Sequence, residues 1–260
     1  LLEDYPLLTL EALGWYLDYT GDTEFAAELY PSYDRLLRRL MNERAGDGLV
    51  HNERVFIEWT QIQKSDVKNT AYHAILARCC RLMERLAARL GKAADRQTYQ
   101  DYFQTLKAEV NAHFWNPARG LYHDGIKDGA PIDHYYPISS LWPYLAGLTN
   151  EAQEASIFPY VAETLKDIGA VNRQRMTTPY GGFYLMGALY EEGLPGVAER
   201  FMRQYWSPMV YRHEDTAWEN FGPEGIGTLS HAWSGAPTYY LTTQVLGFNL
   251  GWPNPFDPGE

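Results

Sequence analysis

Apolar residues recur at a helical period through most of this chain. Between residues 5 and 19 they fall at Leu7, Leu8, Leu10, Leu13, Trp15 and Leu17, a spacing that stripes one face of a helix. The sequence TGDTEF then interrupts the pattern, with Gly21 as a stop and Asp22 or Thr23 as the next cap. A second helix is predicted through about Met41, a third from about Asp66 to Leu90, and a fourth from about Ala94 to His113. The same punctuation returns in YTGDTEFAAELY, LGKAADRQTYQDYF, AGLTNEAQEASIF and EEGLPGVAERF. In each, a striped helix reaches a glycine, a few turn residues follow, and an Ala/Glu-rich helix departs. Such tight turns force antiparallel neighbours, so these are four helical hairpins. Their glycines, Gly21, Gly91, Gly147 and Gly193, are irregularly spaced, which excludes a strict short-period solenoid.

The connections at the other ends of the hairpins are long and rich in Gly, Pro, His and aromatic residues, as in AGDGLVHNERVFIEWTQIQ and NPARGLYHDGIKDGAPIDHYYP. Short extended pieces are predicted within them at GLVH, VFIEW and GLYHD. Tight turns at one end and elaborate loops at the other describe a ring of hairpins with a decorated mouth, and function belongs on the decorated side. The fold class expected is therefore all-α: an (α/α)6 toroid of helical hairpins forming a single domain over residues 1–260, with short β pieces in the mouth loops. An open α-solenoid is the alternative arrangement. The pattern yields about nine or ten helices where six closed hairpins need twelve. The toroid is thus expected to be incomplete at its N-terminus, its remaining hairpins coming from the N-terminal part of a parent protein.

Apolar residues occupy 45% of the positions, enough for a large core, and no run reads as a membrane span or a secretory leader. Acidic residues outnumber basic ones by 33 to 22, and a net charge of −11 argues against a nucleic-acid partner. The only cysteines, Cys79 and Cys80, are neighbours on a predicted helix and point about 100° apart, so they read as buried thiols without a redox or metal role. A chain without disulfides is compatible with the cytoplasm, although the compartment stays open. Aromatic residues are abundant, with 20 tyrosines and 8 tryptophans. They can fill a big core or line a cleft as platforms for sugar rings.

The densest candidate chemistry lies in HEDTAWENFGPEGIGTLSHAW, residues 213–233. Thr216 is predicted to cap a helix whose first turn holds Trp218 and Glu219, with Glu214 and Asp215 on the approach. Helix end and like charges pull the Glu219 pKa in opposite directions. A carboxylate there serves equally as a cap or as a catalytic group, and Trp218 with His231 downstream favours the site. His231 opens the last predicted helix, with Ser230 as its cap and Trp233 beyond. In FIEWT, Glu58 and Trp59 end a short extended run that, as a strand, sets Phe56 and Glu58 on one face and Ile57 and Trp59 on the other. IDHYYP offers His134 in a weaker version of the same pattern, with tyrosines that suit the core as well. No residue spacing suits a metal site, a phosphate loop or a nucleophile elbow, so neither a metal nor a cofactor is expected. Carboxylates and aromatics at the mouth of a helical barrel are equipment for cleaving glycosidic bonds.

At these residues the chain resembles the bacterial α-L-rhamnosidases of glycoside hydrolase family 78. The matching elements are Tyr205-Trp206, Met209, Thr216 to Glu219, Ser230 to Trp233 and Val245 to Gly247, with looser likeness in YTGDTEFAAELYPSYDRLL, DGLV…FIEWT and FWNPARGLYHD. The resemblance implies an (α/α)6 toroid, inversion of configuration by two carboxylic acids, no cofactor, and a rhamnose-containing carbohydrate as partner. It implies Glu219 as general base, His231 as a sugar contact and Trp59 as a sugar-facing platform. Glu58 stands where the family has aspartate. Glu58, expected with Trp59 at the mouth, and Trp218, Trp233 and His134 complete the expected substrate-binding set. The family's Asp-Cys-Pro-x-Arg-x-x-x-Gly-Trp region, which carries the general acid, has no counterpart in these residues. The rival readings are another toroidal enzyme, such as a glucosidase or uronide hydrolase, and a non-catalytic carbohydrate-binding toroid remnant.

Overall fold

The computed structural model describes residues 2–60, 62–166, 177–212, 216–221 and 227–248. Four helical hairpins are present among them: Tyr5–Thr20 (α1) with Thr23–Asn42 (α2), Thr70–Arg89 (α3) with Ala93–Phe114 (α4), Pro137–Leu145 (α5) with Glu151–Thr164 (α6), and Pro179–Glu191 (α7) with Pro195–Tyr211 (α8). Each turns on the expected glycine. Gly21, Gly91, Gly147 and Gly193 all take φ near 70°, a left-handed conformation that costs other residues energy. The caps also follow from side-chain chemistry. Asp22 accepts the Phe25 amide at 3.0 Å, and Asn150 and Gln153 form a reciprocal capping box.

The first helix of each hairpin is the inner one. Nearly every residue of α3 and α5 is buried, whereas α2 and α4 bury a single stripe. Inner helices pack in sequence, α1 on α3, α3 on α5 and α5 on α7. The last segment does not form one regular helix. A 3-10 turn (Ala232–Gly235) leads into a short α-helix (Ala236–Tyr240, α9), which packs on α7 and ends in a π turn over Leu241–Val245. The inner wall is an arc of five helices among the described residues. Within it a buried ion pair joins Glu11 of α1 to Arg78 of α3, and the next two residues of α3, Cys79 and Cys80, are buried free thiols.

The β pieces differ from the expectation. The strands are Asn52–Arg54 (β1), Ser65–Asn69 (β2), Trp115–Asn116 (β3), Leu121–Tyr122 (β4), Gly125–Lys127 (β5) and Ala130–Pro131 (β6). Of the three predicted runs only GLYHD contains a strand, β4, while GLVH and VFIEW are irregular. The third helix starts at Thr70 rather than near Asp66, because residues 65–69 pair with β1 and β5 in an antiparallel sheet ordered β1-β2-β5-β6. These connections all gather at one end of the arc. The Asp4 carboxylate, just before α1, accepts the amides of Phe56 and Ile57 at 2.9 and 2.8 Å. The Thr70 amide, opening α3, donates to the carbonyl of Asp124 ahead of α5. The start of α7 meets Glu58, and Trp233 before α9 stacks on Phe56. This end is the mouth.

Candidate active site

Residues 55–59 are turned by a single strained position. Ile57 has φ of 54°, unfavourable for a β-branched residue, and the two hydrogen bonds to Asp4 hold it there. The strict alternation expected of a strand is lost. Phe56, Ile57 and Glu58 all face inward, and Trp59, 53% exposed, is thrown into the mouth. Glu58 therefore does not line the cleft as expected. Its fully buried carboxylate accepts from the Trp59 amide at 2.8 Å, Thr177 Oγ1 at 3.1 Å, the Thr178 amide at 3.3 Å and Thr178 Oγ1. It sits at the start of α7, where helix amides favour an anion. Gly181 makes room for it, since a Cβ there would lie 1.9 Å from Glu58 Oε2. Burial pushes the Glu58 carboxyl up, against the pull of its donors. The acid anchors the loop from which Trp59 projects. The Lys64 ammonium completes that anchor, lying 5.1 Å from the Phe56 ring centre and 5.4 Å from that of Trp59 and donating to the Glu58 carbonyl.

Glu219 is not in a helix. Residues 216–221 run beside 227–231, with the Glu219 amide donating to the Thr228 carbonyl and the His231 amide to the Ala217 carbonyl, both at 2.9 Å. Thr216, the expected cap, instead hydrogen-bonds the Leu229 carbonyl. The two neighbours, Trp218 and Glu219, point opposite ways. Trp218 accordingly goes into the core, 1% exposed, under the Arg212 guanidinium, and offers no platform to a ligand; this corrects its expected place in the cleft. Glu219 goes to the mouth. Glu214 and Asp215 lie outside the described residues.

Three donors hold the Glu219 carboxylate. Oε2 accepts from the Thr228 amide at 2.9 Å and from Thr228 Oγ1 at 3.0 Å, while Oε1 accepts from the Trp59 indole N–H at 3.2 Å. His231 Nδ1 stands 2.8 Å from Thr228 Oγ1 and 3.8 Å from Oε2. The Thr228 amide first, then its hydroxyl and the Trp59 indole, draw the Glu219 carboxyl below the ordinary glutamate range. Trp233 closes the group. Its indole donates to the Glu219 carbonyl at 3.0 Å, and its ring lies 4.0 Å from that of His231 and nearly parallel to Phe56. Glu219, Trp59, His231 and Trp233 are thus brought together from segments far apart in the chain.

His134 stands at the same end in a separate group. Its Nδ1 meets Asp124 Oδ2 at 2.7 Å with the ring half-exposed, and Asp124 also accepts from the Tyr136 amide and Ser139 Oγ. Among the described residues no three His, Cys, Asp or Glu side chains gather as a metal site. Sequence reasoning missed Gly227 and Thr228. Gly227, at φ 109°, approaches so closely that a Cβ would fall 2.7 Å from Glu219 Oε2. Their visible signal was only the IGT ahead of LSH, and nothing local said that this turn faces Glu219. Beside the group, a groove of about 440 Å³ opens between α1 and α9. Trp15, Tyr19, Tyr180, Phe183, Trp233 and Tyr239 line it.

Comparison with curated protein sequences gives no match. Among solved structures, the family 78 rhamnosidase of Bacillus sp. GL1 superposes with a TM-score of 0.82 at 22% identity, over 93% of this chain and 26% of that one. A rhamnosidase from Klebsiella oxytoca with rhamnose bound gives 0.78 at 25% identity, over 95% and 48%. A family 63 mannosylglycerate hydrolase from Thermus thermophilus in complex with glucose gives 0.65 at 15%, over 89% and 74%. This chain spans a quarter to a half of the length of the two rhamnosidases. The model of the bacterial α-L-rhamnosidase six-hairpin glycosidase domain matches residues 12–245. With the hairpin arc and the acid-and-indole mouth, that match makes the chain a member of the bacterial α-L-rhamnosidase six-hairpin glycosidase family.

Proposed function

We propose that this domain hydrolyses terminal α-L-rhamnosides with inversion, and that Glu219 is the general base. The observation that carries the reading is the unequal coordination of the Glu219 carboxylate. A carboxylate oxygen has two lone-pair directions. Those of Oε2 are taken by the amide and hydroxyl of Thr228, whereas among the described residues Oε1 meets only the Trp59 indole. With respect to those residues Oε1 keeps one acceptor direction open, on an ionised group, at the mouth. A water bound there gives its proton to Oε1 as its oxygen bonds the anomeric carbon; the glycosidic C–O bond breaks, and the leaving oxygen takes a proton from a second carboxylic acid. Trp59 and Trp233 supply apolar faces for the sugar, and His231 a polar contact. The choice of rhamnose rests on the family match and on the rhamnose bound in the Klebsiella enzyme.

The second acid belongs, in this reading, to a further hairpin contributed by polypeptide outside these residues. The groove between α1 and α9 supports this. Its walls are mostly aromatic, and it lies between the first and last inner helices of the arc, where a further inner helix would complete a six-hairpin ring. Inversion requires the two carboxyls roughly 6.5–9.5 Å apart across the mouth.

The test is Glu219→Gln in the protein at its complete native length. Turnover of an aryl α-L-rhamnoside is expected to fall by about 10²- to 10⁴-fold while rhamnose binding by calorimetry persists. Hydrolysis near the wild-type rate would sink the assignment. Rhamnose binding by an otherwise inert wild-type protein would favour the binding-module reading instead.

A further inference from the structure

One side chain in the mouth touches both groups that the proposed mechanism uses. Thr228 Oγ1 lies 3.0 Å from Glu219 Oε2 and 2.8 Å from His231 Nδ1. A hydroxyl has a single proton to give. Given to the ionised carboxylate, it makes the stronger, charge-assisted bond, and the hydroxyl oxygen then accepts from His231. That requires the proton of neutral His231 on Nδ1, where it also stands 3.8 Å from Oε2. The opposite polarity, with the hydroxyl donating to a bare Nδ1, withdraws its proton from the anion and leaves Nδ1 and Oε2 facing each other as two lone pairs.

We propose that Thr228 is a positioning residue that sets two neighbours at once: it fixes the Glu219 carboxylate through Oε2, leaving Oε1 to the Trp59 indole and the attacking water, and it holds His231 in the Nδ1–H form so that Nε2 presents a lone pair to a substrate hydroxyl. The proposal rests on Glu219 being the base. Its effect reaches the cleft through those two side chains, the Thr228 hydroxyl giving its one proton to Glu219 and accepting from His231. Gly227 explains why the contact is possible, its missing Cβ allowing the turn to close on the carboxylate. Among the described residues, the titratable group facing Glu219 within this cluster is His231; Lys64 lies over the Trp59 ring, and Arg212 over that of Trp218.

The experiment compares Thr228→Val, which is isosteric but lacks the hydroxyl, with Thr228→Ser, which restores it, in the protein at its complete native length. For Thr228→Val, kcat for an aryl α-L-rhamnoside is expected to fall about tenfold to hundredfold. The acid limb of its pH–rate profile moves to higher pH, because a carboxylate stripped of a donor holds its proton more tightly. In ¹⁵N-histidine spectra the His231 resonances shift away from the Nδ1–H pattern. Thr228→Ser returns all three readouts to near wild type. A Thr228→Val protein with an unchanged acid limb and an unchanged His231 tautomer, beside an inactive Glu219→Gln, would overturn this proposal alone. An active Glu219→Gln would remove the base and this proposal together.

Discussion

Glu219 and Trp218 are adjacent in sequence and opposite in fate. Both belong to a phrase whose chemistry is conspicuous, yet one reaches the mouth, where Thr228 and Trp59 hold it, and the other is sealed in the core. Glu58 shows the same limit. An acid beside a tryptophan suggests a cleft, but the pair is split by the positive φ of Ile57, which sends Trp59 outward and seats Glu58 on the first turn of α7. The partners that decide these outcomes, Asp4, Thr177 and Gly227, carry no local sign of it. At this scale the sharpest expectation concerns Gly227. Gly227→Ala forces a methyl group to 2.7 Å from Glu219 Oε2 at a backbone angle other residues avoid. The carboxylate has to move, and if Glu219 is the base proposed above, a shift of this size costs about a hundredfold in kcat. Steady-state kinetics on a variant with a native circular dichroism spectrum checks this; an unaltered kcat contradicts it.

Helical hairpins are the most legible elements here, because period and glycine stop are both local properties. The stops at Gly21, Gly91, Gly147 and Gly193 lie where the pattern set them. The mouth strands were read less well. Strands β1, β2 and β5 are short and polar, and their identity depends on pairing with one another across long loops. One histidine ties this sheet to the barrel. His73, on the first turn of α3 and fully buried, accepts the Val50 amide on Nε2 at 2.9 Å and meets the Asn69 carbonyl through Nδ1 at 2.7 Å. Burial holds its imidazole neutral, with its pKa pushed down to about 4. The unfolded chain, with histidine near 6.5, therefore binds the extra proton first, and stability falls as pH drops from about 6.5 towards 4. The loss is at most about 3 kcal/mol. Denaturant titrations at pH 7 and pH 4.5 are expected to show it, and His73→Gln to flatten that interval; an equal slope in the variant would refute the assignment.

On the scale of the whole molecule, the arc brings five helix starts to one rim, so that residues from positions 59, 219, 231 and 233 share a single cluster. Inversion makes a claim about this assembly rather than about any one residue: the water must attack from the face opposite the leaving group. Proton NMR of fresh hydrolysate is expected to show β-L-rhamnose first, with the α anomer appearing only at the rate of mutarotation. Early accumulation of the α anomer would mean retention and a different carboxylate pair.

What local sequence determined by itself is the set of helices, their hairpin turns and the loops rich enough in acids and indoles to carry chemistry, since periodicity, capping and glycine conformation act within a few residues. What only the tertiary structure decided is which of those acids faces the hollow. That depends on contacts between segments a hundred and more residues apart, Glu58 with Thr178 and Trp59 with Glu219, and on the space a missing Cβ leaves at Gly181 and Gly227. Those are properties of packing, and they exist once the helices have closed on one another.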